Sequence, residues 1–122
     1  MLSVRRRNPV NYSLCNQTVT VYRRDGETFS KQVYNRGFLE FKKTETVEKT
    51  GESEASSFLL VIPCDEAILA PGDKVLMGEG ADVTTMEAWR DFIPAKVTGL
   101  AVVKYVDYKY FDGRICHVEA GG

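Results

Sequence analysis

Histidine and cysteine are scarce in this chain of 122 residues, which has one histidine and three cysteines. The cysteines, Cys15, Cys64 and Cys116, are odd in number and far apart, and no paired-cysteine motif is present. A metal site needs several such ligands to converge on one point, and a disulfide framework needs an even set of cysteines. We therefore predict reduced thiols, no bound metal and no cofactor.

Long apolar runs are missing as well. No stretch approaches the ~20 consecutive apolar residues that cross a bilayer. The arginines near the amino terminus are not followed by the apolar core of a secretory signal. The sequence therefore predicts a protein that is made in the cytoplasm and has no membrane partner.

No catalytic motif stands out. His117 directly follows Cys116, and successive residues of a strand point to opposite faces, so we expect their side chains to be separated. The segment Gly78-Glu79-Gly80 lacks the third glycine and the lysine of phosphate-binding loops. These absences predict a protein without catalytic residues, which is not an enzyme.

Charge is unevenly distributed along the chain. Residues 1–24 contain five arginines and no acid, so the other residues together carry −6 to give the net charge of −1. A nucleic-acid-binding domain would be basic as a whole, whereas a basic end and an acidic body can attract one another between copies or partners. We predict that the five arginines form an assembly interface, against the alternative of a solvated tail: Arg5, Arg6, Arg7, Arg23 and Arg24.

The first half of the chain has the pattern of a bent β-hairpin. Gln17–Tyr22 alternates and is rich in β-branched residues. Asp25-Gly26 is typical of a tight hairpin turn, because glycine accepts a positive φ. The returning strand, residues 29–43, contains Gly37, which predicts a bulge or a sharp bend.

Two further strands are predicted in the middle of the chain. Ser57–Pro63 is the most apolar segment and is expected at the centre of the sheet. Cys64–Ala70 is a connector or a single helical turn. Pro71-Gly72 fixes a turn before the short strand Lys74–Met77.

The last part of the chain predicts a second hairpin. Val97–Tyr110 is a long β-prone run, Asp112-Gly113 favours a tight turn, and Ile115–Val118 returns. We expect the final residues, Ala120–Gly122, to fray.

One short helix is expected between Asp82 and Ile93. Thr84 and Glu87 have the spacing of a capping box, and Trp89 belongs to an apolar stripe at helical spacing that should be buried against the sheet. The stripe consists of Val83, Met86, Trp89 and Ile93.

Together these elements predict a mainly β fold, a small antiparallel β-barrel or strongly bent sheet with one short helix. We expect a flexible arm over residues 1–13 and a single barrel-like domain over residues 14–122. The polar stretch Thr44–Ser56 is expected to be a long loop or a protruding hairpin tip, and long loops are often functional.

The order of these elements resembles the small neck proteins of tailed bacteriophages. These are the minor capsid or head-closure (stopper, head–tail connector) proteins of siphophages and prophages of Gram-positive bacteria. The resemblance is carried by the strand Thr18–Tyr22, the bend Arg36–Glu40, the "FLLVIP" strand Phe58–Pro63, the Pro71-Gly72-Asp73 turn and the ending His117–Gly122.

This resemblance implies a structural virion protein at the head–tail interface. Such proteins form a ring, typically dodecameric though they can be monomers in isolation, which closes the DNA channel after packaging and joins the tail. The implied partners are other copies of the chain, the portal-adaptor protein and the tail-completion protein. Packaged DNA would be a partner only in that the ring blocks its channel. By position, the loop within residues 44–56 would face the channel through Glu45, Val47, Glu48, Lys49, Gly51, Glu52 and Glu54.

Two other interpretations stay open. A tail-completion or other neck protein is the nearest alternative. A small β-barrel that binds nucleic acid or peptide is more distant: single-strand binders combine exposed aromatic side chains with basic ones, and aromatic residues lie near lysines at Tyr105, Tyr108, Tyr110 and Phe111.

Overall fold

The structure is a computed structural model that describes residues 8–42 and 57–122. These residues form seven strands and one helix. In chain order they are β1 (Gln17–Asp25), β2 (Thr28–Lys42), β3 (Ser57–Pro63), β4 (Lys74–Met77), α1 (Met86–Asp91), β5 (Leu100–Val102), β6 (Tyr105–Phe111) and β7 (Arg114–Gly121).

The seven strands form one antiparallel sheet that curls into a half-barrel. Their order is β5-β4-β1-β2-β3-β7-β6. The two edge strands, β5 and β6, are joined by Val103 and Lys104 alone. The Val103 amide donates to the Asp73 carbonyl at 2.8 Å and the Lys104 amide to the Gly121 carbonyl at 2.9 Å, so this link brings the two edges together. The predicted mainly β fold with one short helix is confirmed.

Strand β2 bends at Gly37, as predicted. Its first part pairs with β1 and its last part, Phe38–Lys42, pairs with β3. The β1 register is irregular between Gln17 and Val19, opposite the bend. A Cβ atom on Gly37 would lie 2.9 Å from Cγ2 of Val19, so the bend needs a residue without a side chain.

The core fills the concave face of the sheet. Alternation along β3 places Phe58, Leu60 and Ile62 inside, and all three are buried. Val118 of β7 and Val19 of β1 are fully buried in the same cluster. Burial of one alternating set of side chains fixes the register of β3 in the sheet.

Both predicted hairpin turns are present. Asp25 pairs with Thr28, which leaves a two-residue loop that begins with Gly26 at φ +64°. In the second hairpin Asp112 and Gly113 have φ of +53° and +79°, which is the pattern of a type I′ turn.

Three sequence predictions about the strands were wrong in detail. Strand β2, and not β3, is the middle strand of the sheet. The run Val97–Tyr110 is not continuous, because it divides into β5 and β6 where the chain crosses from one edge to the other. The carboxyl end does not fray, since Ala120 and Gly121 belong to β7 and are buried.

The helix is shorter than predicted and is capped by a different threonine. Thr85, not Thr84, is the N-cap, and its hydroxyl accepts from the Ala88 amide at 3.1 Å. Trp89 packs against Phe29 of β2 with ring centroids 5.9 Å apart, as expected, but stays half-buried. In the described part of the chain, no helix is long and apolar enough to span a bilayer.

Candidate functional site

The predicted site residues fall into two groups. Arg5, Arg6 and Arg7, and the predicted channel-facing residues between positions 45 and 54, lie outside the described residues, so their roles stay predictions. Arg23 and Arg24 are described and occupy the end of β1 before the first hairpin turn.

Arg23 forms an internal ion pair. Its Nε and Nη2 donate to the two carboxylate oxygens of Asp73 at 3.0 and 2.8 Å. Asp73 is 3 % exposed and also accepts from the Ala70 amide at 2.9 Å. The hydrogen bonds to Asp73 raise the pKa of Arg23. This bidentate pair fastens the turn before β4 to β1, which gives Arg23 a role inside the fold.

Arg24 is arranged differently. Its side chain is exposed, and Nη1 lies 3.4 Å from both the Gly26 carbonyl and the Met86 sulfur. Within residues 8–42 and 57–122 no carboxylate lies within 4.0 Å of its guanidinium. Of Arg23 and Arg24, Arg24 is therefore the one whose charge is available to a partner.

A groove on the convex face of the sheet is the second candidate site. It has a volume of about 410 Å³ and lies between the N-terminal segment, residues 8–15, and the sheet. The floor consists of Phe38, Leu59 and Val61, which belong to the face opposite the core. Val10 and Leu14 line it from the N-terminal segment, and His117 and Glu119 from β7. Apolar walls with a few convergent polar groups are typical of binding sites.

A chain of hydrogen bonds crosses the β7 end of this groove. The side-chain amide of Asn8 donates to the Tyr12 hydroxyl at 2.9 Å, and that hydroxyl lies 2.8 Å from Nδ1 of His117. Nε2 of His117 lies 3.0 Å from the Glu119 carboxylate. An imidazole proton on Nε2 is donated to Glu119, and Nδ1 then accepts from Tyr12, so every member has a partner. The chain fastens the N-terminal segment to β7.

The expectation that Cys116 and His117 point apart was wrong. The Cys116 sulfur lies 3.6 Å from Nδ1 of His117. Lys109 pairs with His117 while the next residue, Tyr110, pairs with Ile115, which leaves Cys116 as an extra residue in β7. Such a bulge interrupts strand alternation and redirects a side chain, which the rule of opposite faces does not foresee.

The thiol is nevertheless not placed as a nucleophile beside its base. Its closest partner is the Lys109 carbonyl at 3.4 Å, and the Nδ1 lone pair faces the nearer Tyr12 hydroxyl. Burial, and after it the hydrogen bond with Cys116, raise the pKa of Tyr12 to about 12. Tyr12 therefore remains a protonated donor at neutral pH. The hydrogen bonds of Tyr12 and His117 hold the N-terminal segment against β7.

Ligands for a metal do not converge in the described residues. No group of three or more histidine, cysteine, aspartate or glutamate side chains is arranged to hold an ion there. The three cysteines are not bonded to one another. Cys15 is buried, and Cys64 packs against the core cluster.

Exposed apolar side chains are concentrated on two elements. Among the described residues five large apolar side chains are exposed, and four of them lie on the N-terminal segment and on the edge strand β6. They are Val10 at 45 %, Leu14 at 70 %, Tyr105 at 52 % and Tyr110 at 65 %; the fifth is Met77 at 37 %. Tyrosine and apolar side chains in such positions are typical of protein interfaces.

Three members of the site were not predicted from the sequence: Tyr12, His117 and Glu119. His117 and Glu119 are two residues apart, and this spacing on a strand places both side chains on one face, so their pairing was predictable. Tyr12 carried no such signal, because it approaches His117 from a segment without regular structure at the other end of the chain.

A scan against family models, a search of curated proteins and a search of solved structures gave no match to this chain.

Proposed function

We propose that this chain is a structural protein of the bacteriophage head–tail interface, which forms a ring with other copies and joins the capsid to the tail. The observation that carries the proposal is the placement of the exposed apolar side chains. Four of the five lie on two elements of a small half-barrel, and none of them belongs to the core. A surface of this kind fits a subunit that is completed by neighbours.

The two elements differ, and this difference favours a ring. One is the N-terminal segment with Val10 and Leu14, and the other is the edge strand β6 with Tyr105 and Tyr110. Contact between two unlike surfaces is heterologous, and a heterologous contact closes into a ring when the rotation permits it. A dodecamer is the ring that the family resemblance implies.

The fastening of the N-terminal segment supports the same role. Tyr12 and Asn8 hold the segment against β7, so Leu14 is presented on a fixed backbone. A presented side chain loses less conformational entropy on assembly than one on a free arm. In the ring, portal-adaptor and tail-completion proteins would bind the two faces, and residues 44–56 would face the channel.

Deletion of the gene from the phage or prophage that encodes the chain tests the proposal. We expect filled capsids that lose DNA and do not attach tails, and free tails should accumulate. Complementation with Leu14→Ser or Tyr110→Ser should restore fewer complete particles than wild type. Met77→Gln is the matched control, because Met77 is exposed but lies on neither element. Normal tailed particles from the deletion strain would contradict the proposal.

A further inference from the structure

A cavity of about 430 Å³ lies beside the first hairpin, away from the groove of the N-terminal segment. Its walls are the end of β1, the turn Ala70–Asp73 and Trp89 of the helix. Arg23, Arg24 and Asp25 line it from β1. Charged side chains and an aromatic ring therefore line the same cavity, which lies outside the hydrophobic core.

Two arginines and two aspartates line this cavity, and of these only Arg23 and Asp73 lie within 4.0 Å of each other. Asp73 directs both carboxylate oxygens to Arg23 and accepts from the Ala70 amide as well. Asp25 is exposed and lies more than 4.0 Å from every described cation. Arg24 is consequently left without a carboxylate from the described part of the chain.

A second cation, Lys74, lies behind Trp89. Lys74 is only 7 % exposed, and its Nζ donates to the carbonyls of Trp89 and Phe92 at 2.7 and 2.6 Å. The same atom lies 4.2 Å from the centroid of the Trp89 ring. No described carboxylate is within 4.0 Å of it. Burial first, and the charge of Arg24 second, lower the pKa of Lys74.

We infer that this cavity binds a carboxylate of an acidic segment on a protein partner, through Arg24 and against Trp89. A guanidinium matches a carboxylate with two parallel hydrogen bonds. An anion beside Arg24 would also offset part of the positive charge that Arg24 places near Lys74. The indole ring supplies an apolar wall for the stem of a glutamate or for a neighbouring side chain.

A protein carboxylate fits better than nucleic acid. Binding to a phosphate backbone needs several cations along a track, whereas the cavity offers one available guanidinium between two aspartates. The chain as a whole carries a net charge of −1. Binding of a carboxylate in this cavity does not depend on the proposed place in the virion, since it involves one cavity and one class of ligand.

The cavity contains its own reporter, because Trp89 is the only tryptophan in the chain. The purified protein is titrated with a short peptide of alternating glutamate and glycine, and binding is followed by calorimetry and by Trp89 fluorescence. We expect saturable heat with a matching fluorescence change, and weaker binding at high ionic strength. Replacement of every glutamate by glutamine in the peptide should abolish both signals.

Variants assign the contact to one side chain. Arg24→Gln should weaken binding roughly tenfold, as expected for loss of a hydrogen bond between charged groups, and should leave the fold intact because Arg24 is exposed. Arg114→Gln is the matched control, since Arg114 is exposed in the other hairpin and does not line the cavity. Absence of heat, equal binding of the glutamine peptide, equal loss in both variants, or preferred binding of an oligothymidylate would each overturn the inference.

Discussion

The hydroxyl of Tyr12 lies 2.8 Å from Nδ1 of His117, a contact between residues 105 positions apart in the chain. It joins a segment that precedes the first strand to the last strand of the sheet. The rings also meet edge to face, with centroids 5.3 Å apart. The N-terminal segment is thereby part of the folded domain, and it places Leu14 at the surface with 70 % exposure.

Loss of this contact should destabilise the domain modestly. In Tyr12→Phe the ring remains but the hydroxyl is gone, so Nδ1 of His117 loses its donor. We expect the free energy of unfolding to fall by about 1 kcal/mol, measured by urea denaturation. Tyr110→Phe removes a hydroxyl from a side chain that is 65 % exposed, and it should leave the unfolding midpoint unchanged. Equal effects of both variants would show that the contact does not stabilise the fold.

The raised pKa of Tyr12 predicts that the free energy of unfolding depends on pH in the alkaline range. The folded pKa of Tyr12 is about 12, above its ordinary value of 10.0. The folded state therefore retains this proton more strongly than the unfolded state does. The contribution of this proton to the stability of the folded state is complete below pH 10 and is lost as pH rises through about 12. The free energy of unfolding should fall less steeply over this range in Tyr12→Phe, and part of the slope should persist because burial also raises the pKa of Tyr22 and Tyr34. Identical slopes would contradict the assignment.

The buried carboxylate of Asp73 should contribute more to the stability of the fold than an exposed carboxylate does. Asp73→Ala removes three hydrogen bonds, two from Arg23 and one from the Ala70 amide. We expect a loss of about 2 kcal/mol in thermal or urea unfolding. Asp107→Ala is the control, because it removes an ion pair with Lys109 whose side chains are 54 % and 43 % exposed. That variant should lose about 0.5 kcal/mol or less, and a larger loss there than at Asp73 would refute the comparison.

A methyl group added at the bend in β2 should destabilise the fold. Gly37→Ala would place Cβ 2.9 Å from Cγ2 of Val19, and we expect a destabilisation of about 2 kcal/mol from this overpacking. In a Val19→Ala background the clashing methyl group is absent, so the same substitution should cost less there. Strict additivity in the double-mutant cycle would show that the cost of Gly37→Ala arises elsewhere.

Local patterns were sufficient for most strands but not for the crossing between the sheet edges. Alternation identified β1, a continuous apolar run identified β3, and the glycine turns located both hairpins. The division between β5 and β6 depends on bonds from Val103 to Asp73 and from Lys104 to Gly121. Asp73 and Gly121 are distant from these residues in the chain, so the local sequence around Val103 does not predict where β5 ends and β6 begins. The helix cap was misplaced by one residue because Thr84 and Thr85 are equally suited to cap by type.

The candidate sites were less predictable than the fold, for two physical reasons. Whether an arginine is available depends on its neighbours in space, and only the structure shows that Asp73 neutralises Arg23 while Arg24 has no described carboxylate. The direction of the Cys116 side chain depends on a bulge, which breaks the alternation of side chains along a regular strand.

The central claim, that this chain is a ring protein of the phage neck, is tested most directly by its position in the particle. Purified particles of the phage or prophage that encodes it are labelled with an antibody against the chain and observed by electron microscopy. We predict label at the head–tail junction alone, in an amount that one dodecameric ring supplies. Absence of the chain from complete tailed particles, or label on the capsid wall or the tail tip, would contradict the claim.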